Sequence, residues 1–244
     1  MAEFKNSVIF EVSDYFQEFS SYSKTLFEPF SILENRDDGM PPHFQVYSCL
    51  ISDSDEKELV FSKIKTLTHL FFGTLRLIAS RSPFGGIKDY KNFLVKNVLI
   101  DNVPIPLPLF DEVPFYNFVD IGKTNNYDDN SGYLLHKIID RCLMDVDIFN
   151  ILLISSDRFD YIDMYKIYEI LKKSCPKNIL DSYKADLDRF TCSANNFTAT
   201  GFASRHANYD SNPDQVRAIQ SKFISIDDSR ELFKSIFTNF IKIL

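Results

Sequence analysis

The residues best suited to chemistry gather in the C-terminal half. The segment from Asp188 to Asp210 concentrates small, amide and hydroxyl side chains around an adjacent pair, Arg205 and His206. A guanidinium grips phosphate or carboxylate through paired N–H donors. An imidazole changes charge near neutral pH and can act as acid or base. Asn195, upstream in the same segment, could orient a bound group. Glu169, on the preceding helical stretch, could hold the His or the Arg. These four are the candidate catalytic residues. The same four also admit a structural arrangement, in which Arg205 pairs with Glu169 and His206 bonds a helix end. Breaking one partner of such a buried pair costs about 3–5 kcal/mol, so stability alone would give the cluster a purpose.

Other chemistry is harder to place. The histidines, His43, His69, His136 and His206, do not stand at helical pair spacing with one another or with any of Cys49, Cys142, Cys175 and Cys192. No metal site is expected from them. The cysteines form no CxxC pair and predict reduced, mostly buried thiols. Asp157, Asp160 and Asp163 recur every third residue, which suits the start of a helix better than a metal site. Gly122-Lys123-Thr124 ends like a phosphate loop, but the upstream glycines are missing. No G-x-S-x-G or H-E-x-x-H occurs, and 7 glycines in 244 residues disfavour dinucleotide folds. No cofactor is expected.

The elements that must position these residues divide into two regions. Residues 1–121 predict a β-containing region with one long helix, residues 122–132 a polar, turn-rich linker, and residues 133–244 an all-helical domain. The fold class is α+β. Val8–Val12, Phe44–Ile51 and Phe93–Ile100 have the length and β-branched content of strands. Pro104, Pro106 and Pro108 alternate with Ile105 and Leu107, which predicts an extended edge or PPII-like segment. Asp53 with Glu56 predicts a capped helix start, and Val60, Ile64, Leu67, Phe71, Leu75 and Ile78 mark one face of a helix over about 53–80. Leu70, Phe72 and Leu77 widen that stripe, so the helix should pack on more than one side. Beyond the linker, Asp145, Asp160 and Ser225 with Asp228 read as helix caps. Pro176 should stop a helix, and Ile179, Tyr183 and Leu187 should form the next. Asp188–Asp210 predicts a structured turn, with Gly201 at positive φ. The last helix should line Phe233, Ile236, Phe237, Phe240, Ile241 and Leu244 along one side.

Charge follows the same division. The chain carries 27 Lys and Arg against 34 Asp and Glu, a net −7. Residues 1–132 hold 12 against 19, and residues 133–244 hold 15 against 15, so the N-terminal half carries the whole imbalance. An acidic half repels phosphate backbones, which disfavours nucleic acid, and draws basic partners. The 24 Phe and 12 Tyr suit a core better than a platform for bases. No membrane span is expected, and the N-terminus does not read as a signal peptide, which implies a cytoplasmic protein.

The stretch Met164–Lys173 (MYKIYEILKK), the stretch Arg189–Ala207 (RFTCSANNFTATGFASRHA) and the final helix Ile226–Leu244 together resemble a widespread group of bacterial proteins. Members carry Y-x-x-Y-E, F-x-x-x-A-N and G-x-x-x-R-H segments and have no established activity. The matching positions are Tyr165, Tyr168, Glu169, Phe190, Ala194, Asn195, Gly201, Arg205 and His206. The resemblance implies a helical architecture and a polar cluster. The Arg–His pair also invites comparison with the HEPN class of helical RNases, whose motif sets His roughly four to six residues after Arg. Here the two are adjacent, and adjacent side chains on a helix diverge by about 100°.

Three functions follow as expectations. The first is a non-catalytic binding protein with an acidic surface for a basic protein partner, in a bacterial immunity or phage-defence setting. The second is an RNA- or nucleotide-processing enzyme using Arg205 and His206. The third is a structural scaffold subunit.

Overall fold

A computed structural model of the chain describes residues 7–11, 31–35, 43–52, 54–78, 95–100, 103–106, 112–119, 134–201, 204 and 222–244. The architecture is α+β, with one antiparallel sheet and a predominance of helix. The chain divides into two compact units, and the longest helix, α1 (Lys57–Ile78), contributes to both. Its residues up to Thr68 belong with the sheet, and those from His69 onward belong with the later helices. The expected linker, 122–132, lies outside the described residues.

In the first unit, β1 (Ser7–Glu11), β2 (Ser31–Asn35), β3 (His43–Tyr47), β4 (Val95–Ile100) and β5 (Val103–Ile105) form a sheet in the order β2-β3-β1-β4-β5. Every neighbouring pair is antiparallel. The β1–β4 register shifts between Ile9, opposite Asn97, and Phe10, opposite Val95, which leaves Lys96 as the extra residue of a bulge. The proline alternation produces an edge strand, as its missing donors require. Pro104 sits opposite Leu99. Lacking an N–H, it must occupy a non-hydrogen-bonded pair, so its carbonyl points away from β4.

From Val60 to Thr68, α1 is buried on every side. Val60, Phe61, Ile64 and Leu67 supply the apolar part, and three of the polar residues between them, Ser62, Lys65 and Thr66, are satisfied by one extended segment, 113–116. Ser62 Oγ donates to the Pro114 carbonyl at 2.8 Å, Lys65 Nζ donates to the Val113 carbonyl at 2.6 Å, and Thr66 Oγ1 accepts from the Tyr116 N–H at 2.7 Å. Lys63 Nζ lies 5.3 Å from the centroid of the Tyr116 ring, and Lys65 Nζ lies 4.5 Å from that of Phe115. The helix begins at Lys57, later than the Asp53 cap predicted. Asp53 lies outside the described residues, and Glu56 precedes the helix, its carbonyl accepting from the Val60 N–H at 2.9 Å. The delay has a local cause. Asp55 Oδ2 accepts from the Ser52 N–H at 2.8 Å and from Lys63 Nζ at 2.6 Å, which ties Asp55 back to Ser52 ahead of the helix.

The second unit comprises the rest of α1 with α2 (Leu134–Cys142) from Lys137 onward, α3 (Val146–Ser155), α4 (Tyr161–Ser174), α5 (Lys177–Ser182), α6 (Lys184–Asn195), α7 (Phe197–Thr200) and α8 (Ile226–Lys242). Three caps are where the sequence puts them. Asp145 accepts from the N–H groups of Asp147 and Ile148, Asp160 from those of Ile162 and Asp163, and Ser225 from that of Asp228. Two expectations need correction. Ile179, Tyr183 and Leu187 do not share one helix, because Tyr183 separates α5 from α6. The segment from Asp188 is not a turn at first, since α6 continues through Asn195 and α7 follows. Gly201 does take positive φ, at 57°. Leu244 lies beyond the end of α8 and is exposed, so the α8 stripe stops at Ile241.

Close packing in this unit depends on one glycine. Gly73 of α1 lies against the Leu152 backbone of α3 so tightly that a Cβ there would overlap the carbonyl. The end of α3 is gripped from several sides. Arg76 donates to the carbonyls of Ser155 and Asp157, His69 Nδ1 bonds Ser156 Oγ at 2.6 Å, and Arg230 Nε donates to the Phe159 carbonyl at 3.1 Å. These bonds fix a turn in which Phe159, buried, holds φ at 51°.

Candidate functional site

The motif residues of α4 and α6 come together around one ring. Tyr165 and Tyr168, one turn apart on α4, each place a ring centroid 6.4 Å from that of Phe190 on α6. Tyr161 stacks on Phe190 at 6.2 Å, and Phe233 of α8 meets it edge-on at 4.8 Å. Phe190 and Ala194 are fully buried. Tyr165, Tyr168, Phe190 and Ala194 therefore act as packing.

Glu169 follows Tyr168 onto the outer side of α4, where its side chain is 44% exposed. Its carboxylate accepts from Lys172 Nζ at 2.6 Å, and that ammonium also lies 4.8 Å from the Tyr168 centroid. The hydrogen bond it donates to Glu169 raises the Lys172 pKa above its ordinary value. Asn195 is the last residue of α6, and its Oδ1 is buried with no hydrogen-bond partner among the described residues. Arg205 and His206 lie outside the described residues, so of the four candidates only Glu169 and Asn195 are placed.

The hydroxyls around Asn195 are occupied by backbone. Ser193 Oγ donates to the Arg189 carbonyl and accepts from the Ile224 N–H, at 3.0 and 2.8 Å. Thr200 Oγ1 contacts the carbonyls of Ser193 and Asn196, and Ser204 Oγ donates to that of Ala194. Arg189 and Tyr161 donate to the carbonyls of Phe223 and Ile224, at 3.0 and 2.7 Å. The polar richness of this stretch thus satisfies carbonyls that a helix end leaves open and ties the segment before α8 in place.

Three further titratable groups in the same unit are set by burial. Asp163, in the first turn of α4, has a side chain only 8% exposed, and its Oδ2 has no partner among the described residues. Burial pushes its pKa up, neighbouring Asp160 adds to the rise, and Lys166, 3.5 Å away, opposes it. Cys142 is buried, donates to the Ile139 carbonyl, and is pushed well above the ordinary thiol range, chiefly by burial. Cys175 is likewise buried and raised, whereas Cys192 is half-buried and Cys49 exposed, so the thiols are less uniformly buried than expected. Among the described residues no group of His, Cys, Asp and Glu is arranged to hold a metal ion.

The first unit holds a different kind of site. An open hollow of about 640 Å³ runs between the start of α1 and the segment containing Glu112. Leu59, Phe61, Pro106, Val113 and Pro114 give it apolar walls, and Glu56, Glu58 and Glu112 are exposed around it. No ion pair to these three carboxylates occurs among the described residues, and Lys57 between them turns toward the Phe61 ring, 5.8 Å from its centroid. The N-terminus of α1 carries partial positive charge, which lowers the cost of holding Glu56 and Glu58 side by side. Such a hollow suits an apolar group with cations beside it.

Comparison of the chain with family models, with curated proteins and with solved structures finds no match. The function is therefore read from the geometry and the charge. Sequence reasoning had placed Glu56 in a helix cap and passed over Glu58 and Glu112. The acidic balance of residues 1–132 was the signal that pointed to this half. Among the described residues no helix is long and apolar enough to cross a membrane.

Proposed function

We propose that the chain is a non-catalytic binding protein whose acidic N-terminal half recognises a basic protein partner, in the cytoplasm and in a bacterial immunity or phage-defence setting. The observation that carries this reading is the charge division. All of the net −7 falls in residues 1–132, and the rest of the chain is balanced. A field of one sign speeds encounter with a partner of the other sign and suppresses association with like-charged ones. The exposed carboxylates at Glu56, Glu58 and Glu112 support it, since they stand beside apolar surface that a partner could cover. The setting is taken from the likeness of the α4 and α6 motifs to bacterial proteins.

The test is a pull-down with the tagged chain from its own cell extract at two ionic strengths. The Debye length falls from about 10 Å at 0.1 M salt to about 3 Å at 1 M. A specific basic protein should be retained at the lower salt and released at the higher. Recovery of no basic protein would overturn the proposal.

A further inference from the structure

The hollow at the start of α1 has a definite chemical character, and it narrows the choice of partner segment. Its walls are apolar, with Leu59 half-exposed and Phe61, Val113 and Pro114 beside it. At about 640 Å³ it falls within the range of sites that enclose several side-chain-sized groups. Glu56 and Glu58 approach it from α1, and Glu112 approaches from a segment far away in the sequence. Against these three carboxylates the lining offers one cation, Lys57, which sits over Phe61.

The surrounding structure is built to keep the hollow in shape. Ser62 and Lys65 hold the Pro114 and Val113 carbonyls at 2.8 and 2.6 Å, so the wall carrying Glu112 is fastened to α1 by side chains that are themselves buried. A surface held open in this way loses less conformational freedom on binding than a mobile one. Apolar burial would then supply affinity, and the carboxylates would select for cationic neighbours.

We infer that this hollow is the docking site for a segment of the partner protein in which a bulky apolar side chain is flanked by Lys or Arg. The inference rests on the basic-partner reading above and assigns it to one place. The apolar side chain enters between Leu59 and Val113, and the flanking cations meet Glu56, Glu58 and Glu112. A segment with the same charge but no apolar residue gains only exposed ion pairs, which contribute little.

The experiment uses the full chain and two short labelled peptides of equal charge, one alternating Lys with Leu and the other alternating Lys with Ser, read by fluorescence anisotropy. The Lys/Leu peptide should bind at least about tenfold more tightly than the Lys/Ser peptide. The triple variant Glu56→Gln/Glu58→Gln/Glu112→Gln should weaken Lys/Leu binding by at least about tenfold with an unchanged Tm. If the triple variant is less stable, Glu112→Lys, which leaves the α1 start intact, should show the loss instead. Equal binding of the two peptides, or undiminished binding of Lys/Leu to both variants, overturns the docking site and leaves the basic-partner reading standing. No binding of either peptide also overturns it. Only when the pull-down likewise recovers no basic protein does the wider reading fall with it.

Discussion

The two parts of α1 solve burial in opposite ways. Up to Thr68 the helix buries charged and polar residues and satisfies them with the backbone of a distant segment, residues 113–116. From His69 onward it approaches α3 through a residue with no side chain, Gly73, and the surrounding unit is filled by aromatic and aliphatic groups centred on Phe190 and Phe233. The first part therefore seats buried polar groups through particular donors and acceptors, whereas the second closes on α3 by the absence of a side chain at Gly73 and adds bonds from His69 and Arg76 to the end of that helix. The difference teaches that a fully buried helix need not be apolar. A lysine can be a core residue when its stem packs and its head finds a carbonyl.

The contrast can be broken most severely at Phe190. Phe190→Ala removes a ring that touches Tyr161, Tyr165, Tyr168 and Phe233 and should cost about 3–5 kcal/mol, read as a fall in the urea midpoint. Lys65→Met keeps most of the stem volume but leaves the Val113 carbonyl without its donor. It should cost about 2 kcal/mol by the same measurement, and a neutral result would show that the first part relies on volume after all.

The smallest expected effect has the opposite sign. Burial raises the Asp163 pKa above its unfolded value, so the folded chain binds this proton more tightly than the unfolded one does. The resulting penalty is absent below the unfolded carboxylate range and grows as pH rises through it to the raised folded value. Asp163→Asn removes the charge and should stabilise the protein slightly at neutral pH, with the gain disappearing at acid pH below the unfolded carboxylate range, as thermal unfolding across pH will check. Loss of stability at neutral pH would mean that the ionised carboxylate is needed for its contact with Lys166.

What could be read in advance was mostly local. Asp145, Asp160 and Ser225 cap helices whose first turns follow immediately, and Gly201 adopts its left-handed conformation with no help from afar. Pro104 announced an edge because a missing N–H constrains pairing wherever it occurs. Ser31–Asn35 gave no comparable sign, since β2 exists through its register with β3. Lys63 and Lys65 carry no local sign of burial, because the Asp55 carboxylate and the Val113 carbonyl that engage them are set by tertiary structure. The hollow was hidden for the same reason, as Glu112 is brought to Glu56 and Glu58 only by folding. The α4–α6 motif was visible as a pattern, but Tyr165, Tyr168 and Phe190 proved to be packing, and Glu169 holds Lys172 in a surface pair.

The outward face of β5 carries one further consequence. At Pro104 it offers a carbonyl but nothing to donate, and the hydrogen-bonding groups of Val103 and Ile105 are turned inward to β4. Another chain seeking to lengthen the sheet from that side would find too few rungs for a ladder. Recruitment by backbone zipping is thus discouraged there, whether by a stray copy in a crowded cell or by a visiting peptide. Whatever binds along that edge must be chosen for its side chains.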